Sequence, residues 1–129
     1  DHFTLLKEAG YTYDASLARY LPTRYNHLCL PGKPFVKEGV KEFPMPNFVY
    51  PSVNAGLTYL KLLHPVSTMF PKPYMFYLHP WEFLEKKDLR GSVLLTRNSG
   101  QKAWNIFERY VNSCEGKWVG CREWMEKEK

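Results

Sequence analysis

One histidine occupies a position that suits proton chemistry. His79 follows the apolar run 75–78 and precedes Pro80, within the segment PYMFYLHPWE at 73–82. We predict that the run is a strand buried on both faces and that Pro80 keeps His79 extended, which fixes the direction of the ring. Imidazole exchanges protons near neutral pH, so a general acid or base is one interpretation. The other is a core strand that ends in a turn, with a histidine of structural role.

The other three histidines carry weaker signals. His2 and His27 lie in polar or irregular surroundings, which indicates surface positions. His64 also precedes a proline, but it closes an amphipathic helix, where a histidine interacts favourably with the helix C-terminus. Local pattern therefore favours His79 as the candidate for chemistry.

The carboxylates are less distinctive. Asp14 ends a short strand in YTYDAS at 11–16 and is either a site residue or a turn former that bonds nearby backbone N–H groups. Glu42 and Glu82 are each suited to general acid or base chemistry, but nothing local distinguishes them. The sequence contains no glycine-rich phosphate loop, nucleophile elbow, HExxH motif or paired-cysteine metal motif.

The elements that must position these residues alternate along the chain. We predict helices over 1–10, 52–64 and 100–114, with short strands at 11–14, 39–43 and 75–78. The stretch 117–129 should supply a short final strand and a terminal helix. Ser52 or Asn54 is the predicted cap of the second helix. The alternation favours an α/β fold with largely parallel strands. Active residues in such folds lie at the carboxyl ends of strands, where the prediction places His79.

The composition fits one globular domain of 129 residues. A 16% aromatic share and ten prolines suggest loops and ring-lined surfaces, although aromatic residues are also common in cores. The net charge of +5 permits an anionic partner, but Lys and Arg are scattered, so nucleic-acid binding is weakly supported. No apolar segment is long enough to span a bilayer. Cys29, Cys114 and Cys121 form no metal spacing and allow at most one disulfide.

Three segments, in order, resemble the C-terminal half of the polysaccharide deacetylases of the NodB-homology family. They are AGYTYDAS at 9–16, EFP at 42–44 and YLHPWEF at 77–83, and the helix around 104–110 also fits. HPWE after an apolar strand is the most specific of these. The resemblance implies a distorted (β/α) barrel that removes acetyl groups from N-acetylated sugars with a divalent metal, such as zinc.

The resemblance also implies residue roles. His79 matches the histidine of the family's last motif, whose implied role is to protonate the leaving amine. Leu78 matches the leucine that lines the acetyl pocket, and we predict that Trp81 and Asp14 also contact the substrate. The family's metal ligands, an Asp of an Asp-Asp motif and two histidines of a His-x-x-x-His motif, have no counterpart here. We therefore predict no metal ligands in this chain.

The match covers only part of a barrel and is imperfect. Ala15 replaces the family's usual serine, and the proline-containing stretch 22–34 is an unusual insertion. The chain opens at Asp1 in what already reads as a helix. A half barrel exposes strand edges. We therefore expect residues 1–129 to be one partial domain that requires the N-terminal half of the same enzyme or self-associates.

The main hypothesis is a hydrolase that deacetylates an N-acetylated carbohydrate or a related amide, of which this chain is the C-terminal part. The runner-up is a non-catalytic carbohydrate-binding module that uses exposed Trp and Tyr rings. A basic nucleic-acid binder is the third.

Overall fold

The computed structural model describes residues 1–21, 25–88 and 92–127. Its described helices are α1 (His2–Glu8), α2 (Leu57–Leu62), α3 (Val93–Thr96), α4 (Gln101–Asn112) and α5 (Cys121–Lys127). Three short 3-10 helices cover Val66–Met69, Pro80–Phe83 and Lys86–Asp88. The predicted helices over 1–10 and 100–114 and near the C-terminus are confirmed by α1, α4 and α5.

The strands are short. They are β1 (Tyr13–Asp14), β2 (Tyr20–Leu21), β3 (Tyr25–Asn26), β4 (Phe35–Lys37), β5 (Val40–Glu42), β6 (Asn47–Val49) and β7 (Val53–Asn54). One sheet has the order β1-β5-β4, with β1 parallel and β4 antiparallel to β5. The pairs β2–β3 and β6–β7 are antiparallel. The mixed helix-and-strand prediction is confirmed in general form. Among the described residues, however, parallel pairing is limited to β1–β5 and to two isolated bridges.

The second predicted helix is shorter than expected and has a different cap. It begins after Gly56, whereas we predicted Ser52 or Asn54 as the cap. Asn54 instead ends β7, and its side-chain oxygen accepts a hydrogen bond from Asn47 at 2.8 Å. The preceding hairpin therefore takes residues that helix propensity alone would have assigned to α2.

Helices α2 and α4 pack together and form the main core with β6 and the residues before α2. The cluster is made by Phe48, Ala55, Leu57, Leu60, Ala103, Ile106 and Tyr110. Phe48 meets Tyr110 edge to face at 5.8 Å between ring centroids. These helices form the support on which the segment around His79 lies.

The predicted strand at 75–78 is wrong. Of its residues, only Tyr77 pairs with another segment, through an isolated parallel bridge to Gly56. Phe76 packs against the core, whereas the Leu78 side chain is 37% exposed. The nearby prolines at 71, 73 and 80 carry no N–H, so they shorten the stretch that can form a ladder. The short final strand predicted within 117–129 is also absent from residues 117–127, the described part of that stretch.

Two further expectations concern a disulfide and a membrane-spanning segment. The three cysteines are free, so the disulfide that the sequence allowed is not formed. Among the described helices, none combines the length and the apolar character that crossing a membrane requires.

Candidate functional site around His79

His79 lies directly before the 3-10 helix Pro80–Phe83 and has extended backbone angles, φ −112° and ψ 133°. The extended conformation was predicted from Pro80, whose ring disfavours a helical residue before it. The supporting element differs from the prediction, because the segment leads into a helical turn and is not a strand. The His79 side chain is exposed, so the imidazole is accessible to a ligand.

Two aromatic rings define the position of the imidazole. Trp81 stacks on His79 with 5.4 Å between ring centroids and an interplanar angle of 12°. Tyr77 meets the imidazole edge to face at 5.7 Å. These contacts restrict rotation of the ring while leaving it open to solvent. The structure thus brings together two predicted site residues, His79 and Trp81, with Leu78 between Tyr77 and His79 in the chain.

The backbone of His79 is held by a buried carboxylate. The His79 N–H donates to Glu82 Oε2 at 2.9 Å, and the Thr58 hydroxyl donates to Glu82 Oε1 at 2.8 Å. Glu82 is fully buried, at 0% exposure. Both carboxylate oxygens therefore have partners, which a buried carboxylate requires.

A buried lysine provides the compensating charge. Lys61 is also fully buried, and its Nζ lies 3.7 Å from Glu82 Oε1. The ammonium donates to the Leu95 carbonyl at 2.5 Å and to Ser99 Oγ at 3.0 Å. Burial lowers the pKa of Lys61, and the neighbouring Glu82 charge opposes that shift. The pair connects α2, the 3-10 helix Pro80–Phe83 and the α3 region.

The segment before His79 is fixed from the other side. The Leu57 N–H donates to the Tyr77 carbonyl at 3.0 Å, and the Tyr77 N–H donates to the Ala55 carbonyl at 3.3 Å. At Gly56 an added Cβ would lie 2.3 Å from the Tyr77 ring. Glycine is therefore required there by the close approach of Tyr77. Together with Glu82, these contacts hold the chain on both sides of the histidine.

Asp14, the remaining predicted site residue, lies in a different group. It is paired in register with Glu42 across the parallel strands β1 and β5, and its Oδ2 accepts from the Ser16 hydroxyl at 2.5 Å. The contacts described for Asp14 share no residue with those described for the His79 ring. This bond comes from a side-chain hydroxyl, whereas the turn-forming alternative predicted backbone N–H donors. The contacts described for Asp14 therefore include none to His79.

Glu42 is the second buried carboxylate. It is 0% exposed, and its Oε1 accepts from the Leu17 N–H at 3.1 Å. Its Oε2 is buried and has no hydrogen-bond partner among the described atoms. Burial raises the pKa of Glu42 to about 7, and the charge of Asp14 adds to that increase. Glu42 therefore takes up a proton near neutral pH in the folded chain.

None of the other histidines is among the described ring contacts of His79. His2 and His27 are exposed, as predicted, and His2 lies beside Phe3 at 4.1 Å between ring centroids. His64 follows α2 and is partly buried. Across residues 1–21, 25–88 and 92–127, no group of three or more His, Cys, Asp or Glu side chains is placed to hold a metal ion. The described residues therefore do not fit the divalent metal that the family resemblance implies.

Sequence reasoning did not single out Lys61 and Glu82. One signal was available for Lys61. It lies on the same helical face as Leu57 and Leu60, which predicts burial, and a lysine is rarely buried unless its charge is paired. Glu82 stands three residues after His79, at the spacing of a side chain that returns to the first backbone N–H of a helical turn.

Comparison of the chain with protein-family models, with curated proteins and with solved structures found no match.

Proposed function

We propose that this chain is the C-terminal part of a hydrolase that removes the acetyl group from an N-acetylated carbohydrate or related amide. The single observation that carries the proposal is the exposed His79 imidazole, stacked on Trp81 at 5.4 Å and joined to a backbone that Glu82 holds. A proton donor must be accessible and well oriented to act in a transition state. The sequence resemblance adds the reaction class, because HPWE matches the family's last motif.

The proposed role of His79 is that of general acid. Hydrolysis of the acetamide adds water to the acetyl carbonyl and breaks the C–N bond, which yields acetate and a free amine. The protonated imidazole supplies a proton to the leaving nitrogen as that bond breaks. Leu78 directly precedes the histidine and is 37% exposed, so its side chain is available to contact the acetyl methyl.

The proposal places the metal ligands in another part of the protein. The described residues offer no group of three or more His, Cys, Asp or Glu side chains suited to hold a metal. The barrel is likewise proposed from the sequence resemblance. It is supported by the parallel pair β1–β5, in which β1 is an edge strand to which a further strand can add. That further strand would belong to the N-terminal half or to a second copy.

A non-catalytic carbohydrate-binding module is the second candidate. Several large rings are exposed, including Tyr11, Tyr50, Trp104 and Trp118. Aromatic rings offer flat faces to sugars, and exposed rings of this size are favourable contact surfaces. This candidate requires binding without turnover.

An assay of acetate release separates the two candidates. The complete protein is incubated with an N-acetylglucosamine oligosaccharide and zinc, and free acetate and new amine are measured together. Equal amounts of both products support the deacetylase. Saturable oligosaccharide binding with no acetate released would contradict it and favour the binding module.

A further inference from the structure

The His79 main chain is fixed by a hydrogen bond to a buried side chain. Its N–H donates to the Oε2 atom of a carboxylate at 2.9 Å, and that carboxylate, on Glu82, is fully buried. The Glu82 backbone is fixed as well, because the Gly100 N–H donates to its carbonyl at 3.1 Å. The exposed histidine is therefore connected through one side chain to the interior beside α4.

The charge balance of this contact depends on Lys61. A carboxylate at 0% exposure is strongly unfavourable without a countercharge, and the Lys61 ammonium lies 3.7 Å from it. Two further acceptors, the Leu95 carbonyl and Ser99 Oγ, hold the ammonium in place. Buried ion pairs add little net stability compared with apolar residues of similar size. Fixed geometry, rather than stability, is therefore the contribution that distinguishes this pair.

Trp81 links the same ion pair to the imidazole. Its ring lies 5.3 Å from Lys61 Nζ and 5.4 Å from the His79 ring. The lysine therefore contacts the ring that orients His79 as well as the carboxylate that holds the His79 backbone. Displacement of Lys61 would disturb both supports.

We propose that Glu82 and Lys61 are positioning residues for His79, Glu82 by holding its backbone N–H and Lys61 by keeping Glu82 and Trp81 in place. The inference rests on the proposed function for its catalytic consequence, but the positioning itself is measurable without activity. Neither residue touches the substrate in this scheme. Their effect on turnover passes through the orientation of the imidazole.

A matched pair of double variants tests the inference in the complete protein. Lys61→Met with Glu82→Gln removes both charges but keeps a carbonyl oxygen for the His79 N–H and an amide that donates to Thr58. Lys61→Met with Glu82→Met removes both charges and the acceptor. The comparison therefore isolates the hydrogen bond from the loss of the ion pair.

NMR supplies the readout that does not depend on activity. In the unaltered protein the His79 amide should exchange slowly although the residue is exposed, and stacking on Trp81 should shift the His79 ring protons upfield. The Glu82→Gln double variant should retain slow exchange, because the Gln carbonyl still accepts from the His79 N–H, whereas its upfield shift should decrease because Lys61 no longer holds Trp81. In the Glu82→Met double variant, exchange should accelerate by about tenfold or more, as loss of a charge-assisted hydrogen bond implies, and the upfield shift should decrease.

The kinetic readout completes the test. The Glu82→Met double variant should lower kcat by about tenfold to a hundredfold relative to the Glu82→Gln double variant, with little change in KM, since a displaced catalytic group loses orientation. Unchanged amide exchange and ring shifts in the Glu82→Met double variant would overturn the inference. Rapid exchange of the His79 amide in the unaltered protein would also overturn it, even where a variant does not fold. Absence of acetate release by the unaltered protein would count against the proposed function alone.

Discussion

Asp14 and Glu42 face each other in register on the parallel strands β1 and β5, so two carboxylates are neighbours. Glu42 is fully buried with one oxygen unpartnered among the described atoms, and burial raises its pKa to about 7. The uncharged form of Glu42 is therefore favoured in the folded state. This relationship gives the chain a pH-dependent stability that can be measured.

We expect the free energy of unfolding to decrease as pH rises from about 4.5 to about 7. In that window folded Glu42 retains a proton that the unfolded chain has released, because its pKa is about 7 when folded against an ordinary value of 4.5. The stabilisation by the bound proton is complete below the unfolded pKa of 4.5 and is lost as pH rises to the folded pKa of about 7. Between these two values the free energy of unfolding should fall by up to about 1.4 kcal/mol per pH unit. Urea unfolding across this range measures it.

Glu42→Gln should remove this dependence and make the chain more stable than the unaltered protein at pH 8. The exposed carboxylate of Glu108 provides the matched control, and Glu108→Gln should leave the slope intact. A slope that persists unchanged in Glu42→Gln would show that another group is responsible.

Removal of Lys61 should be strongly destabilising. Lys61→Met leaves the buried Glu82 charge without its countercharge, and such a loss costs about 3–5 kcal/mol. Lys72→Met is the control, because Lys72 is exposed and bonds only the Ser113 hydroxyl among its described hydrogen bonds. Denaturant unfolding should show a change within about 1 kcal/mol for that control. Equal losses for the two variants would contradict the ion-pair interpretation.

The two His-Pro sites should differ in kinetics. If the complete protein is the proposed deacetylase, His79→Ala should lower kcat by about a hundredfold to ten-thousandfold, the usual contribution of a positioned acid or base, with little change in KM. His64→Ala should cost at most about 1–2 kcal/mol of stability, since His64 follows the C-terminus of α2. If His64→Ala abolished acetate release and His79→Ala did not, the assignment of His79 would be wrong.

Gly56 should not tolerate even one methyl group. An added Cβ would lie 2.3 Å from the Tyr77 ring, so Gly56→Ala must displace the segment that precedes His79. We expect a loss of about 1–3 kcal/mol, as for other overpacked sites. At Gly120 an added Cβ meets nothing within 4 Å, so Gly120→Ala should be neutral in thermal unfolding. Equal melting temperatures for both variants would show that Tyr77 moves freely.

The isolated chain should bind zinc weakly. No described group of His, Cys, Asp and Glu side chains has the three members that a catalytic zinc site uses. Calorimetric titration with zinc should therefore reveal no one-to-one site with a Kd below about micromolar. Structural zinc sites bind the metal much more tightly than that. A tight stoichiometric site would contradict the proposal that the metal ligands lie elsewhere in the protein.

The sequence by itself determined the features that depend on neighbours a few residues apart. Helix α4 was predicted because Ala103 and Tyr110 recur at helical spacing, and the extended backbone of His79 was predicted from Pro80. Short strands such as β5 were also predicted. The assignment to a deacetylase family remains a prediction, because it derives from the residue resemblance.

Tertiary structure decided which charges are buried and what supports the histidine. The Lys61–Glu82 ion pair joins α2 to the 3-10 helix Pro80–Phe83. The residues next to either side chain in the sequence do not indicate that the two charges will meet. The run before His79 was predicted as a strand, but a strand requires a partner along its length, and here only Tyr77 meets one, at Gly56. Strand pairing and side-chain burial depend on which segment, distant in the sequence, packs against a given stretch. Local hydrophobic periodicity does not identify that segment.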